Sequence, residues 1–130
     1  MIGIVLASHG RFAEGVKDVC EMLFGDAEQI ACVSLMPGQS PEDFQAQMEN
    51  AAVSVDTGEG AIILCDVLGG TPSNRAAFLM SKYQVISGIN MAVVLELLGQ
   101  RMVGDIDIPA LLDIGREGIA HMNHFFGLND

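Results

Sequence analysis

A chain of 130 residues is long enough to bury a core of its own, and we predict one domain over residues 1–130. Its 17 acidic and 6 basic residues give a net charge of −11, which argues against nucleic acid or an anionic membrane surface as a partner. No apolar run approaches the ~20 residues of a membrane span. The 3 cysteines lack a Cys-x-x-Cys spacing, so we expect reduced thiols in a cytoplasmic protein with no metal site and no cofactor.

Apolar strands and amphipathic helices alternate along the chain. We predict four strands, at Ile2–Ala7, Gln29–Met36, Ala61–Cys65 and Tyr83–Ser87. We predict helices over Arg11–Phe24, from Ser40 to about Val55, from a capping Thr71 with Pro72 at the first helical position, from Met91 to about Met102, and from Asp107 toward Gly115. The segment Gly118–Phe126 fits neither the helical nor the strand period.

Strands that alternate with helices through short connections are typical of an α/β fold. We therefore predict a three-layer, doubly wound, mostly parallel sheet with the strand order 2-1-3-4. In such sheets ligands bind beyond the carboxyl ends of the strands, where the strand order reverses, which here is between the first and third strands. His9 follows the first strand and Asp66 follows the third, so we expect the two side chains to meet.

A histidine that is hydrogen-bonded to a carboxylate through one ring nitrogen presents the lone pair of the other nitrogen as an oriented nucleophile. Both strands lead into helix starts, and we expect unsatisfied backbone N–H groups after Gly10 and around Thr71–Asn74. We expect these groups to cradle a phosphoryl group, with Gly10, Gly70, Thr71 and Ser73 as the cradle residues. This combination predicts phosphoryl transfer. The sequence contains no G-x-x-x-x-G-K-[ST] motif, so we expect another phosphoprotein, rather than ATP in a P-loop, as the donor.

Several motifs occur in a recognisable order. They are Ile4-Val5-Leu6-Ala7-Ser8-His9-Gly10, Pro37-Gly38, Asp66-Val67-Leu68-Gly69-Gly70-Thr71-Pro72-Ser73-Asn74, Ser87-Gly88-Ile89-Asn90 and Gly115-Arg116-Glu117-Gly118. With these motifs the chain resembles the enzyme IIA component (EIIA) of the mannose/fructose/sorbose family of the bacterial phosphoenolpyruvate-dependent sugar phosphotransferase system (PTS).

The resemblance implies a phosphotransferase with a phosphohistidine intermediate. His9 would accept a phosphoryl group from the phosphocarrier protein HPr and pass it to an EIIB component, which alone would connect the protein to the membrane components EIIC and EIID. Asp66 would hydrogen-bond the other ring nitrogen, and the Thr71 hydroxyl would lie beside the phosphate. The chain stops at Asp130, so we expect EIIB to be a separate polypeptide.

The resemblance also implies a homodimer whose subunits exchange a fifth, antiparallel edge strand at Gly118–Asn123. Three other functions use the same residues. The protein could be a regulatory phosphoprotein that signals through His9, or the related phosphodonor of a dihydroxyacetone kinase. It could also be a hydrolase with Ser73 as the nucleophile and His9 as the base, although the sequence lacks a G-x-S-x-G elbow.

Overall fold

The structure is a computed structural model, and it describes residues 1–25 and 27–128. Over these residues the elements in chain order are β1 (Gly3–His9), α1 (Phe12–Phe24), β2 (Ile30–Leu35), α2 (Pro41–Val55), β3 (Ala61–Cys65), α3 (Thr71–Ala76), β4 (Gln84–Ser87), α4 (Met91–Val103), α5 (Ile108–Glu117) and α6 (Met122–Phe125). A 3₁₀ turn, Ala77–Leu79, follows α3. The four predicted strands are confirmed, and their ends differ from the prediction by at most two residues.

All three strand pairings are parallel, and the sheet order is β2-β1-β3-β4. The α/β class and the predicted order 2-1-3-4 are therefore confirmed. In the pairing of the two central strands Ala7 lies opposite Cys65. Because parallel strands end at the same edge of a sheet, the residues that follow these two positions emerge side by side.

The central strands are buried on both faces, which explains why they read as unbroken apolar runs. One face, with Ala7 and Cys65, packs against Phe44 and Met48 of α2, both of which have no exposed surface. The opposite face carries α1, where the Cys32 thiol of β2 donates to the carbonyl of Ala13 at 3.4 Å. Helices on both faces fix the sheet and leave its carboxyl edge open for a site.

Met1–Ile89 and Asn90–Asp130 form two compact units. The first contains the whole sheet with α1, α2 and α3, and the second contains α4, α5 and α6. The prediction of one domain over residues 1–130 stays a prediction.

Two of the sequence motifs serve packing in the second unit. The Asn90 side chain accepts the N–H of Val93 at 2.9 Å, which caps α4, and donates to the carbonyl of Gly115 at 2.7 Å. A Cβ on Gly115 would lie 3.2 Å from the Cβ of Val93, so a small residue lets α5 approach α4 closely. The asparagine and the glycine therefore join these two helices.

Met122 and Asn123, the last two residues of the predicted subunit-exchanged strand, lie in a short helix, whereas the exchange itself involves a second chain and stays a prediction. Gly118 ends α5, residues 119–121 have no regular structure, and Met122–Phe125 is a short helix. Met122, Phe125 and Phe126 are spaced three and four residues apart, which is the helical spacing, and the rings of the two phenylalanines pack edge to face at 5.1 Å.

Candidate functional site

His9 and Asp66 meet at the carboxyl edge of the sheet although 57 residues separate them. One carboxylate oxygen, Oδ2 of Asp66, accepts both the backbone N–H of His9 at 2.9 Å and the ring Nδ1–H of His9 at 2.8 Å. Because a carboxylate only accepts, Nδ1 carries the proton and Nε2 keeps its lone pair. The His9 side chain is 50% exposed, whereas that of Asp66 is 14% exposed. The histidine is thus oriented and accessible.

The Asp66 side chain is itself held in place. Its second oxygen, Oδ1, accepts the N–H of Val67 at 2.9 Å, and its backbone N–H donates to the carbonyl of Ala7 at 3.1 Å. The second bond continues the pairing of β1 with β3, so the sheet register determines where the carboxylate lies. The side chains of His9 and Asp66 therefore meet at the sheet edge, as the strand order predicts.

Ser8 is a residue of this site that the sequence reading did not single out. Its fully buried hydroxyl accepts the N–H of Ala13 at 2.8 Å and donates to the carbonyl of Gly10 at 3.2 Å. It replaces the missing side-chain cap of α1, since Arg11 at the N-cap position makes no capping hydrogen bond. In the sequence, the sign of this role is a serine placed between an apolar strand and a His-Gly turn.

Two of the four predicted cradle amides are already used within the protein. The N–H of Gly10 donates to the carbonyl of Leu35 at 2.8 Å, and the N–H of Gly70 donates to the carbonyl of Val67 at 3.3 Å. The amides of Gly10 and Gly70 are therefore not free to bind a phosphoryl group, and the cradle itself stays a prediction. Sheet edges and tight turns satisfy their own backbone groups wherever they can.

The lack of a side chain at Gly70 leaves the space that the His9 ring occupies. A Cβ at this position would lie 2.7 Å from Cε1 of His9, 3.5 Å from Nε2 of the same ring and 3.1 Å from Cγ1 of Val67. The imidazole therefore lies directly against the Cα of Gly70. The turn that brings this glycine to the ring passes through Gly69, whose φ of +90° favours glycine.

The backbone N–H and the hydroxyl of Thr71 are hydrogen-bond donors at the edge of the site. Gly70 is the N-cap of α3 and accepts the N–H of Asn74 at 2.9 Å, so Thr71 is the first helical residue and not the cap that we predicted. Within residues 1–25 and 27–128 neither the amide nor the hydroxyl of Thr71 has a hydrogen-bond partner. Thr71 also borders the same cavity as His9.

The Ser73 hydroxyl has a structural role. It is 9% exposed, and its hydroxyl lies 2.7 Å from the carbonyl of Val67 and 2.6 Å from the hydroxyl of Ser87. Its single proton goes to the carbonyl, which only accepts, so Ser87 is the donor to Ser73. The reading of Ser73 as a hydrolase nucleophile is wrong, since this hydroxyl faces the turn beneath the site.

A cavity of about 410 Å³ opens beside His9. Its wall consists of His9, Gly10, Thr71, Pro41 and the segment 35–39. That segment is a turn in which Gln39 donates its N–H to the carbonyl of Met36 at 3.1 Å and accepts the N–H of Met36 on its side chain at 3.3 Å. The Pro37-Gly38 motif thus forms one wall of the site, which the sequence reading did not recognise.

The neighbouring thiol of Cys65 is not a second nucleophile. Burial raises the pKa of Cys65 to about 12, and the neighbouring Ser73 side chain opposes this rise only in part. Across the described ranges, 1–25 and 27–128, no cluster of three or more histidine, cysteine, aspartate or glutamate side chains could hold a metal ion. No helix in these same ranges is long and apolar enough to cross a membrane.

Comparison with known proteins gives the family. Residues 3–112 match the family model described as PTS system fructose IIA component. The chain is 31% identical over 127 residues to the mannose-specific PTS EIIAB component of Escherichia coli K12, with 91% of this chain and 38% of that protein covered. It is 28% identical over 104 residues to the fructose-specific PTS EIIA component of Bacillus subtilis 168, with 78% of this chain and 71% of that protein covered.

A solved structure agrees with these relatives. The crystal structure of a PTS IIA protein associated with the fucose utilization operon of Streptococcus pneumoniae superposes with a TM-score of 0.86 at 26% identity, with 96% of each chain covered. The chain spans 38% of the length of the mannose-specific E. coli EIIAB proteins that it matches. On the family match and the shared fold, this chain belongs to the EIIA family of the bacterial sugar phosphotransferase system.

Proposed function

We propose that the protein is a phosphocarrier that accepts a phosphoryl group on Nε2 of His9 and passes it on. The observation that carries this proposal is the pair of hydrogen bonds from His9 to Oδ2 of Asp66. Asp66 fixes the ring tautomer, and the proton on Nδ1 allows the ring to become an N-phosphorylated imidazolium next to a carboxylate. Family membership in the PTS supports the same chemistry.

In the proposed step the donor is phospho-HPr. Nε2 of His9 attacks the phosphorus in line, a new N–P bond forms, and the N–P bond to the donor histidine breaks, so that the donor imidazole leaves with the bonding electron pair. An EIIB component then takes the phosphoryl group by the same exchange in reverse. We propose that this relay operates in the cytoplasm and reaches EIIC and EIID only through EIIB.

Exposed apolar side chains near His9 support protein partners over a small-molecule donor. Phe12, Met36, Val67 and Leu68 are 48%, 43%, 51% and 82% exposed. Leu68 and Val67 belong to the turn that holds Asp66, and Met36 lines the cavity beside His9. Apolar groups that surround a reactive centre without covering it are typical of protein docking surfaces.

The homodimer that the resemblance implies is part of the same proposal. Apolar side chains of the tail are exposed in the single chain, Ile119 by 78% and Phe125 by 72%. Covering such groups is a common reason for self-association. Light scattering after size exclusion should give twice the mass of one chain, and a monomeric mass would remove this part of the proposal.

The proposal is tested by reconstituting the first part of the relay. The protein is incubated with phosphoenolpyruvate, enzyme I and HPr, and intact mass spectrometry should detect one phosphate that is labile to acid and stable to base. His9→Ala should take up none, whereas His121→Ala and His124→Ala should be labelled as the wild type is. Labelling of the His9→Ala variant would show that another residue is the acceptor.

A second step separates transport from regulation. Addition of an EIIB protein should drain the phosphate if the protein is a relay component. Phosphate that stays on His9 in the presence of a competent EIIB would favour the regulatory phosphoprotein.

A further inference from the structure

The imidazole of His9 has two neighbours that restrict it. Asp66 holds Nδ1 by a hydrogen bond of 2.8 Å. The edge of the ring that carries Cε1 and Nε2 lies against Gly70, where an added Cβ would be 2.7 Å and 3.5 Å from these two atoms. Real Cβ atoms essentially never approach another heavy atom to 2.7 Å, so any side chain at position 70 would displace the ring.

The backbone of Gly70 does not itself require glycine. Its φ of −80° and ψ of 167° are extended values that every amino acid adopts. Gly69, the preceding residue, has a φ of +90° and does require the freedom of glycine. At position 70 the reason for glycine is therefore the space that the His9 ring occupies.

We infer that Gly70 is a positioning residue for the phosphoryl acceptor, a role that rests on the proposed function. Asp66 and Gly70 both determine where the His9 ring lies, but in different ways. The carboxylate attracts the Nδ1 edge, and the absence of a side chain at Gly70 allows the ring to reach that hydrogen bond with Nε2 directed outward. With alanine at position 70 the ring must rotate or withdraw, which misaligns both the Nδ1–H···Oδ2 bond and the attacking lone pair.

The kinetic test uses phosphoramidate, a small donor that needs no protein docking. Nε2 of His9 attacks its phosphorus, the new N–P bond forms, and the P–N bond of phosphoramidate breaks with release of ammonia. Displacements of about 1 Å commonly cost ~100-fold in rate. Gly70→Ala should therefore slow phosphorylation by 10- to 100-fold, whereas Gly15→Ala, at an exposed helical glycine with open space around it, should react as the wild type does.

A double variant distinguishes the ring from the rest of the turn. The added Cβ would also approach Cγ1 of Val67 at 3.1 Å. Val67→Ala removes that second contact and leaves the contact with His9. If the ring is the cause, Gly70→Ala/Val67→Ala stays as slow as Gly70→Ala. Recovery of the wild-type rate in the double variant would overturn the inference.

Stability provides a test that does not depend on phosphoryl transfer. Gly70→Ala should lower the urea midpoint of unfolding in the wild type and leave it unchanged or higher in a His9→Ala background, where no ring meets the Cβ. Equal destabilisation in both backgrounds would refute the contact.

A wild-type protein that accepts a phosphoryl group in no assay would overturn the proposed function. The stability cycle would still decide whether Gly70 positions the ring. NMR of the His9 ring nitrogens should show the altered hydrogen bond only in Gly70→Ala.

Discussion

One oxygen atom of Asp66 binds His9 twice, through the backbone N–H and through the ring Nδ1–H, at 2.9 and 2.8 Å. The backbone bond fixes where the His9 main chain lies relative to the acid, and the ring bond fixes the side chain. Since the other oxygen is occupied by the N–H of Val67, all three donors around the carboxylate require an acceptor. A neutral amide at position 66 cannot satisfy them together.

Asp66→Asn should therefore slow phosphorylation of His9 strongly. If the single amide oxygen faces His9, the NH₂ group opposes the N–H of Val67, and in the flipped orientation it opposes both N–H groups of His9. We expect a loss of about 100-fold in the phosphoramidate rate. Asp113→Asn, an exposed acid in α5, is the matched control and should have no effect. A wild-type rate in Asp66→Asn would contradict the orienting role.

Ser8→Ala should destabilise the protein because it removes the buried acceptor of the Ala13 N–H at the start of α1. Loss of a capping hydroxyl typically costs about 1 kcal/mol, and up to ~2 kcal/mol. Urea unfolding measures the change. Ser54→Ala, which removes an exposed hydroxyl inside α2, should change the free energy of unfolding by less than ~0.5 kcal/mol. Equal effects of the two substitutions would argue against the cap.

The hydroxyls of Ser73 and Ser87 should be coupled. Their oxygens are 2.6 Å apart, and Ser73 also donates to the carbonyl of Val67 in the turn after Asp66. We expect each single alanine substitution to cost about 1–3 kcal/mol. The double variant should cost less than the sum, with a coupling of roughly 0.5–3 kcal/mol in a double-mutant cycle by urea unfolding. Strict additivity would mean that the two side chains act independently.

The Cys65 thiol should make stability depend on pH in the alkaline range. Burial raises the pKa of Cys65 from 9.0 to about 12 in the folded protein. Between these values the unfolded chain releases the proton and the folded chain keeps it, so the free energy of unfolding falls as pH rises, by up to about 1.4 kcal/mol per pH unit. The contribution is fully present below pH 9.0.

Cys65→Ala removes this group and leaves the other two cysteines in place. Urea unfolding at several pH values between 9 and 11 should therefore give a shallower decline for the variant than for the wild type. Parallel declines would show that Cys65 ionises alike in both states.

The pattern of residues predicted the elements around the site well where several local signals agreed. Ser40, Pro41 and the acids after them placed the start of α2 at the observed residue, and the Ser40 hydroxyl accepts the N–H of Asp43 at 3.0 Å. At Thr71 the prediction was off by one position, because the carbonyl of Gly70 accepts the first helical N–H and the helix begins one residue earlier. In the tail the apolar spacing was too short to separate helix from strand.

The sequence by itself determined the strands, their parallel order and the two side chains at the switch between β1 and β3. Apolar periodicity can be read within a single segment, and the topology rules need only the order of the segments along the chain. Only the tertiary structure decided what the glycines and serines do. The amides of Gly10 and Gly70 donate to the carbonyls of Leu35 and Val67, and the Ser73 hydroxyl faces inward. The ring of His9 fills the space that Gly70 leaves. These roles depend on which atoms lie within about 3 Å across the fold, and a linear pattern does not contain those distances.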